Sequence, residues 1–206
     1  MKRMFDIFVG LLLLCLSSPI MIGVAIIVRV KIGSPILFQQ KRVGYHEEIF
    51  TLLKFRTMTN EKDQNGEDLP DSIRLTKVGL LLRRLSMDEL PQLLNVVKGD
   101  MSLVGPRPLL VRYLPYYTLE ETKRHTVRPG ITGYAQIHGR NELDWDSRLA
   151  LDVKYVEERS FLLDLGIILK TITKTLKREG IANVPDQLML DFDVERRNKA
   201  KALRGG

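Results

Sequence analysis

The stretch Ile7–Val28, IFVGLLLLCLSSPIMIGVAIIV, decides the fold because it carries no charge and is mostly apolar. As a helix that rises about 1.5 Å per residue it reaches about 33 Å, enough to cross the hydrocarbon core of a bilayer. Ser17-Ser18-Pro19 interrupts it midway, and proline lacks the amide hydrogen that the helix requires there. The two serine hydroxyls are placed to bind the carbonyls that Pro19 leaves without a donor. We therefore expect a membrane helix that bends or breaks at Ser18 and Pro19.

Basic residues flank this segment on both sides, with Lys2 and Arg3 before it and Arg29 and Lys31 after it. Because cytoplasmic flanks carry the excess of Lys and Arg, two basic flanks predict a re-entrant helix-break-helix whose ends face the same side. A single-pass anchor with a kink at Pro19 is the alternative. A cleaved signal peptide is disfavoured, since no small-residue cleavage site follows the run.

Length and charge suggest one further domain. Residues 1–31 form the membrane segment, 32–180 suit one cytoplasmic catalytic domain, and 181–206 read as a charged, loosely ordered tail. The chain has 206 residues and a net charge of +7, which suits an anionic membrane surface or a phosphorylated substrate. The few, scattered aromatic residues and the lack of a binding motif argue against nucleic acid.

Hydrophobic spacing predicts an α+β fold that is mainly helical and contains a short β-hairpin or small sheet. The predicted strands cover residues 35–38 and 49–53. Four amphipathic helices are predicted, over 78–85 with Thr76 as N-cap, from Ser86 to Gly99, over 145–159, and from Ser160 to 178. Lysines crowd the end of the last helix, which suits either the helix dipole or an anionic membrane surface.

The stretch Ser86–Gln92, SMDELPQ, has two interpretations. In the first, Ser86 and Glu89 form a capping box and Asp88 merely complements the helix dipole. In the second, Asp88 is a reactive or metal-binding carboxylate, because arginines converge on a helix start that itself attracts phosphate. Pro91 would disturb the first turn of a helix selected only for stability, which favours the second interpretation.

Several motifs together resemble one family, the monotopic phosphoglycosyl transferases, which are bacterial sugar transferases that begin glycan assembly on a membrane polyprenol. The resemblance covers nearly the whole chain, and it is most similar to the small enzymes of protein-glycosylation pathways. It rests on the Ser18-Pro19 break and on KFRTM (54–58), DELPQ (88–92), KGDMSLVGPRP (98–108), RPGITG (128–133) and GRN (139–141).

The resemblance implies that a UDP-sugar donates its phosphosugar to polyprenyl (undecaprenyl) phosphate and releases UMP, with Mg²⁺ as cofactor. Asp88 corresponds to the family's nucleophile, which forms a covalent phosphosugar intermediate, and Glu89 would assist it or help to hold the metal. The implied location is the cytoplasmic face of the bacterial inner membrane, with membrane lipid as a further partner and a homo-oligomer as a possibility. The candidate substrate-binding residues are Arg107, Arg83, Arg140, Lys54, Arg128, Asp152 and Asp164.

A non-catalytic scaffold, anchored in the membrane and basic on its surface, is the competing function. Such a scaffold would have no need of the Asp88-Glu89 pair or of Arg107, which Pro106 and Pro108 hold on a stiff backbone. It would also release no UMP from a UDP-sugar. The sequence does not specify the sugar.

Overall fold

The computed structural model describes residues 1–139, 143–177 and 190–204. The helices are α1 (Lys2–Lys31), α2 (Asp71–Arg74), α3 (Lys77–Arg84), α4 (Gln92–Lys98), α5 (Tyr134–His138), α6 (Trp145–Glu158), α7 (Phe161–Lys177) and α8 (Phe192–Arg204). The strands are β1 (Leu37–Val43), β2 (Ile49–Phe55), β3 (Ser102–Val104) and β4 (Gly130–Thr132). Short 3₁₀ helices cover Tyr45–Glu47, Met87–Glu89, Val111–Tyr116 and Glu121–Thr126. The predicted helical α+β class with a short hairpin is confirmed.

Helix α1 runs from Lys2 to Lys31 with Pro19 inside it, so helical structure continues through the predicted break. Because Pro19 has no amide hydrogen, it cannot donate to the carbonyl of Cys15, four residues earlier. The Ser18 hydroxyl donates to this carbonyl at 2.8 Å, which supplies the donor that the proline lacks. The serine beside the proline therefore keeps the helix continuous where an interruption was expected.

Both ends of α1 pack on the same globular body. At its start, Lys2 pairs with Asp164 at 2.6 Å, and the buried Asp6 accepts a hydrogen bond from the Ser102 hydroxyl at 2.8 Å. Near its end, the buried Val24 and Val28 join a core cluster on β2 and α3. The two ends of α1 therefore contact one domain, and the re-entrant arrangement stays a prediction.

Most of the surface of α1 is apolar and exposed. The large exposed side chains are Met4, Phe8, Leu11, Leu12, Leu13, Leu16, Ile20, Ile22, Ile26, Ile27 and Val30. By length and composition, α1 is the one helix in the described residues that is able to cross a membrane. An apolar surface of this size on a helix is typical of contact with lipid.

The main core lies between α1, the hairpin, α4 and the short sheet. Strands β1 and β2 pair antiparallel from Leu37 opposite Phe55 to Val43 opposite Ile49. The buried Asn95 side chain on α4 accepts from the Leu53 amide at 3.1 Å and donates to the Thr51 carbonyl at 2.8 Å. These bonds fix α4 against β2, so the turn before α4 lies over the hairpin.

Strands β3 and β4 pair in parallel, with Ser102 opposite Gly130 and Val104 opposite Thr132. Their backbones cross so closely that a Cβ on Gly130 would lie 2.1 Å from the Gly105 amide nitrogen. Only glycine fits such an approach. This crossing fixes the start of the Pro106-Arg107-Pro108 segment.

The C-terminal segment departs from the prediction of a loosely ordered tail. Residues 190–204 include α8, and Phe192 is fully buried among Tyr113, Tyr117 and Trp145. One aromatic side chain therefore anchors a helix whose composition is otherwise strongly charged. The part of the predicted tail over 181–189 lies outside the described residues.

Candidate active site

Asp88 and Glu89 lie in a 3₁₀ turn, Met87–Glu89, between α3 and α4. The predicted capping box is wrong. Ser86 has a left-handed backbone, with φ of 54°, and its side chain makes no capping hydrogen bond. A positive φ at a residue other than glycine is strained, and such strain is typical of functional sites.

Glu89 turns away from the helix and toward two cations. Its Oε1 accepts from Lys54 Nζ and from Arg107 Nη2, both at 2.7 Å. Burial would raise the pKa of Glu89, but Arg107 and Lys54 outweigh burial and hold this pKa well below its ordinary value. Glu89 is therefore ionised and joins the hairpin to the Pro106–Pro108 segment.

Asp88 lies deeper than Glu89, with 7% of its surface exposed. Its Oδ2 is 3.8 Å from Lys54 Nζ, and among the described residues its carboxylate accepts no hydrogen bond. Burial raises the pKa of Asp88, and the Lys54 charge opposes this effect. A desolvated carboxylate with free lone pairs beside a cation is suited to act as a nucleophile.

A cavity of about 1580 Å³ opens on this carboxylate pair. Its wall includes Lys54, Arg83, Arg107 and Asp152, all four of which the sequence nominated for substrate binding. Arg83 Nε donates to the Thr57 hydroxyl at 3.1 Å, which holds its guanidinium against Thr57. An enclosed space lined by carboxylates and guanidinium groups is suited to a phosphorylated ligand.

Arg107 is supported from behind by a buried ion pair. Arg124 Nη2 donates to the Arg107 carbonyl at 2.7 Å and to Asp152 Oδ2 at 2.8 Å. Arg124 and Asp152 are each almost fully buried. Although Asp152 lines the cavity, its Oδ2 accepts from Arg124. In this structure Asp152 therefore holds Arg124, and Arg124 in turn anchors the Arg107 backbone.

Two other nominated residues, Arg128 and Asp164, are not brought to the cavity. The Arg128 guanidinium donates to the Gly99 carbonyl at 2.9 Å and lies over the Tyr45 ring. Asp164 is buried between Lys2 and the Tyr155 hydroxyl, where it holds the start of α1. Both predictions are corrected, because these side chains are used to pack the fold. Arg140 lies outside the described residues.

Comparisons with known proteins identify the family. The model of the family described as "Bacterial sugar transferase" matches residues 1–178. This chain belongs to the bacterial sugar transferase family.

Three relatives span most of this sugar transferase. It is 57% identical over 181 residues to "Uncharacterized sugar transferase EpsL" of Bacillus subtilis, covering 88% of this chain and 90% of the relative. It is 38% identical over 196 residues to "Exopolysaccharide production protein ExoY" of Rhizobium meliloti, covering 87% of each. It is 39% identical over 195 residues to "UDP-glucose:undecaprenyl-phosphate glucose-1-phosphate transferase" of Caulobacter vibrioides, covering 87% of this chain and 71% of the relative. The protein is thus a transferase, and the name of the Rhizobium meliloti relative connects that relative with exopolysaccharide production.

The oxygen donors of the sugar transferase site fit a small, hard cation. The described residues contain no cluster of three or more metal-binding side chains. Asp88 and the free Oε2 of Glu89 supply two carboxylates, and Mg²⁺ in enzymes commonly takes one or two carboxylates with phosphate oxygens and water. The predicted Mg²⁺ therefore fits these residues provided that a phosphorylated ligand completes the coordination.

Arg42, Arg124 and Arg148 line the same cavity, and the sequence analysis nominated none of them. Arg42 lies on β1, and successive side chains of a strand point to opposite faces, so Arg42 and Lys41 lie on different faces of this strand. For Arg124 the sequence contained a signal, because Asp152 is an acidic residue that could form an ion pair with a basic residue such as Arg124. The pairing itself depends on the tertiary fold, which spacing does not specify.

Proposed function

We propose that this sugar transferase moves a phosphosugar from a UDP-sugar to polyprenyl phosphate, releases UMP, and forms a covalent intermediate on Asp88. The observation that carries the proposal is the buried Asp88 carboxylate, which faces the cavity beside the network of Lys54, Glu89 and Arg107. The name of the Caulobacter vibrioides relative specifies a UDP-sugar donor and an undecaprenyl-phosphate acceptor, and it supports the same reaction.

The proposed chemistry proceeds in two displacements. An Asp88 carboxylate oxygen attacks the phosphorus that carries the sugar, a P–O bond forms, and the bond to the bridging oxygen breaks. The electron pair leaves with UMP. A phosphate oxygen of the lipid then attacks the same phosphorus and frees Asp88. Mg²⁺ held by Asp88 and Glu89 would neutralise charge on the diphosphate.

The membrane location of the acceptor agrees with the exposed apolar surfaces. Besides α1, helix α7 exposes Phe161, Leu162, Leu169 and Ile172. Lysines follow on the same helix, and a basic amphipathic helix can lie on an anionic bilayer. We propose that α1 and α7 hold the cavity at the cytoplasmic face of the bacterial inner membrane, where the lipid phosphate lies.

Trapping the intermediate tests this proposal. The purified full chain in detergent is incubated with UDP-sugars and Mg²⁺ but without lipid, and intact mass and peptide mapping report any phosphosugar adduct. An adduct on the peptide with Asp88, absent in Asp88→Asn and present in the exposed-loop control Asp63→Asn, is expected. An adduct on another residue, or retained turnover in Asp88→Asn, would overturn the assignment.

The same assay separates an enzyme from a scaffold. A scaffold would release no UMP with any UDP-sugar, whether or not polyprenyl phosphate is added. The sugar is identified by the donor that gives the fastest UMP release. The pathway, whether protein glycosylation or polysaccharide production, stays a prediction that this assay does not address.

A further inference from the structure

A strand contact between two segments that are distant in sequence places Arg42 beside Arg107. The end of β1 pairs with Phe50 on one side and bridges to Leu110 on the other, and the Val43 amide donates to the Leu109 carbonyl at 3.2 Å. This contact places Arg42 Nη1 3.4 Å from the Pro108 carbonyl, directly after Arg107. The Arg42 side chain then lines the cavity.

Arg42 has few partners for a guanidinium with this degree of burial. Its Nη2 donates to Gln40 Oε1 at 2.5 Å, whereas its Nε is buried and has no hydrogen-bond partner. Among the described residues no carboxylate forms an ion pair with it, although Arg107, Lys54 and Arg124 each have one. A half-buried cation of this kind is costly unless an anion binds to it.

Like charges surround Arg42. Burial and then Arg107 lower the pKa of Arg42 to about 10. Burial and then Arg107 likewise lower the pKa of Arg148, whose guanidinium lies over the Trp145 ring on the same cavity wall. We call Arg42, Arg107 and Arg148 the arginine cluster. Arg107 repels both Arg42 and Arg148, and a phosphate bound in the cavity relieves that repulsion.

Within the arginine cluster, Arg107 is the member whose charge acts on Asp88. The cations that lower the pKa of Asp88 are Lys54, Arg83 and Arg107, and Arg42 is not among them. Arg107 contacts Glu89 on one side and neighbours Arg42 on the other. Arg107 therefore connects Glu89, the neighbour of Asp88, with Arg42, an order in which two linked phosphates of one ligand would meet Asp88 and Arg42 in turn.

We propose that Arg42, with Arg107, binds the nucleoside-bound phosphate of the donor, which is the phosphate that departs with the leaving group. This inference rests on the proposed function. When the Asp88 oxygen bonds to the sugar-bound phosphorus, the bridging P–O bond breaks and its electron pair stays on the nucleoside phosphate. That phosphate gains one negative charge, and preorganised guanidinium groups stabilise such developing charge. Arg42 is thereby a catalytic residue that acts on the leaving group.

Three variants of the full chain test the role of Arg42. Arg42→Gln removes the charge, and Arg42→Lys keeps the charge but loses the planar fork. Lys41→Gln is the matched control, because Lys41 is the preceding residue on the same strand, does not line the cavity and bonds instead to Thr51. Melting temperature of the ligand-free protein establishes that each variant is folded.

Each variant is measured in three ways. Calorimetry gives the affinity for UMP, and rapid mixing with mass detection gives the rate of Asp88 adduct formation. Mixing preformed adduct with polyprenyl phosphate gives the rate of transfer to the lipid. In Arg42→Gln we expect UMP binding to weaken about 10- to 100-fold, the loss of one charge-assisted contact. Adduct formation should slow by at least as much, while transfer from the adduct to lipid stays unchanged. Arg42→Lys should lie between, and Lys41→Gln should match the parent chain.

The outcomes separate the possible failures. Unchanged UMP affinity and adduct rate in Arg42→Gln would overturn the proposal, as would a loss confined to transfer onto the lipid phosphate. A lowered melting temperature with normal UMP binding would show a structural role and also overturn it. If the parent chain forms no adduct, the proposed function fails, and UMP binding by the parent chain and Arg42→Gln still decides whether Arg42 binds a nucleoside phosphate.

Discussion

Lys54→Met should move the pH dependence of the first chemical step. Lys54 Nζ lies 3.8 Å from Asp88 Oδ2 and 2.7 Å from Glu89 Oε1. Burial already raises the pKa of Asp88, and Lys54 is the largest effect opposing it. Removing Lys54 therefore raises the pKa of Asp88 further. Since only the ionised carboxylate attacks phosphorus, the acidic limb of the rate profile should shift to higher pH.

The size of the shift follows from the distance. Two unit charges 3.8 Å apart interact by about 4 kcal/mol at an effective dielectric constant near 20. At about 1.4 kcal/mol per pKa unit this sets an upper limit of about 3 units. Water in the cavity screens the pair, so we expect a shift of about 1 to 3 units. Glu89 keeps its contact with Arg107 and should stay ionised.

The assay is UMP release at low UDP-sugar concentration, which reports kcat/KM and hence the pKa of the free enzyme, measured from about pH 5 to 9. The same substitution at an exposed lysine of the hairpin, Lys41→Met, controls for the loss of one positive charge. Its acidic limb should coincide with that of the parent chain. A Lys54→Met profile that stays in place or moves to lower pH would refute the electrostatic role assigned to Lys54.

Three further perturbations test the fold around the site. Asp152→Asn leaves the Arg124 charge buried without its partner, so thermal or urea unfolding should show a loss of about 3–5 kcal/mol, and unchanged stability would contradict the buried pair. Gly79→Ala places a Cβ 1.9 Å from the Thr57 carbonyl oxygen, so α3 must shift, and both the melting temperature and UMP release should fall. Tags placed before Lys2 and after Lys31 should both be accessible from the cytoplasm of intact cells, and labelling on opposite sides would contradict the re-entrant arrangement.

Local patterns predicted the elements that depend on neighbouring residues. Thr76 caps α3 through the Gly79 amide, and Ser160 accepts from the Leu163 amide at the start of α7, both as expected from the sequence. The predicted hairpin also forms, although β1 covers Leu37–Val43 where the sequence indicated 35–38, and β2 runs two residues farther, to Phe55. These features have short sequence separation, so spacing and capping rules are sufficient to find them.

Tertiary contacts overrode the same rules at the site. Ser86 and Glu89 match a capping box, yet Glu89 bonds to Lys54 and Arg107, which are distant in sequence. Two charge-assisted hydrogen bonds are stronger than one contact to a backbone amide, so the turn tightens and α4 begins only at Gln92. Arg128 and Asp164 carry motif chemistry but are used in packing, which a linear pattern cannot distinguish from binding.

The membrane segment and the nucleophile are joined through a single short helix. Arg3 donates to the Val96 and Val97 carbonyls at the end of α4, and Gly10 lies against the same two valine side chains. Since α4 follows the Asp88 turn directly, α1 fixes the position of that turn through α4. Deleting residues 1–31 would therefore remove packing that α4 requires as well as the anchor. The experiment that isolates the anchor is one that alters only those exposed apolar side chains of α1 that lie outside the cavity wall, and it leaves Leu13, which lines the cavity, unchanged.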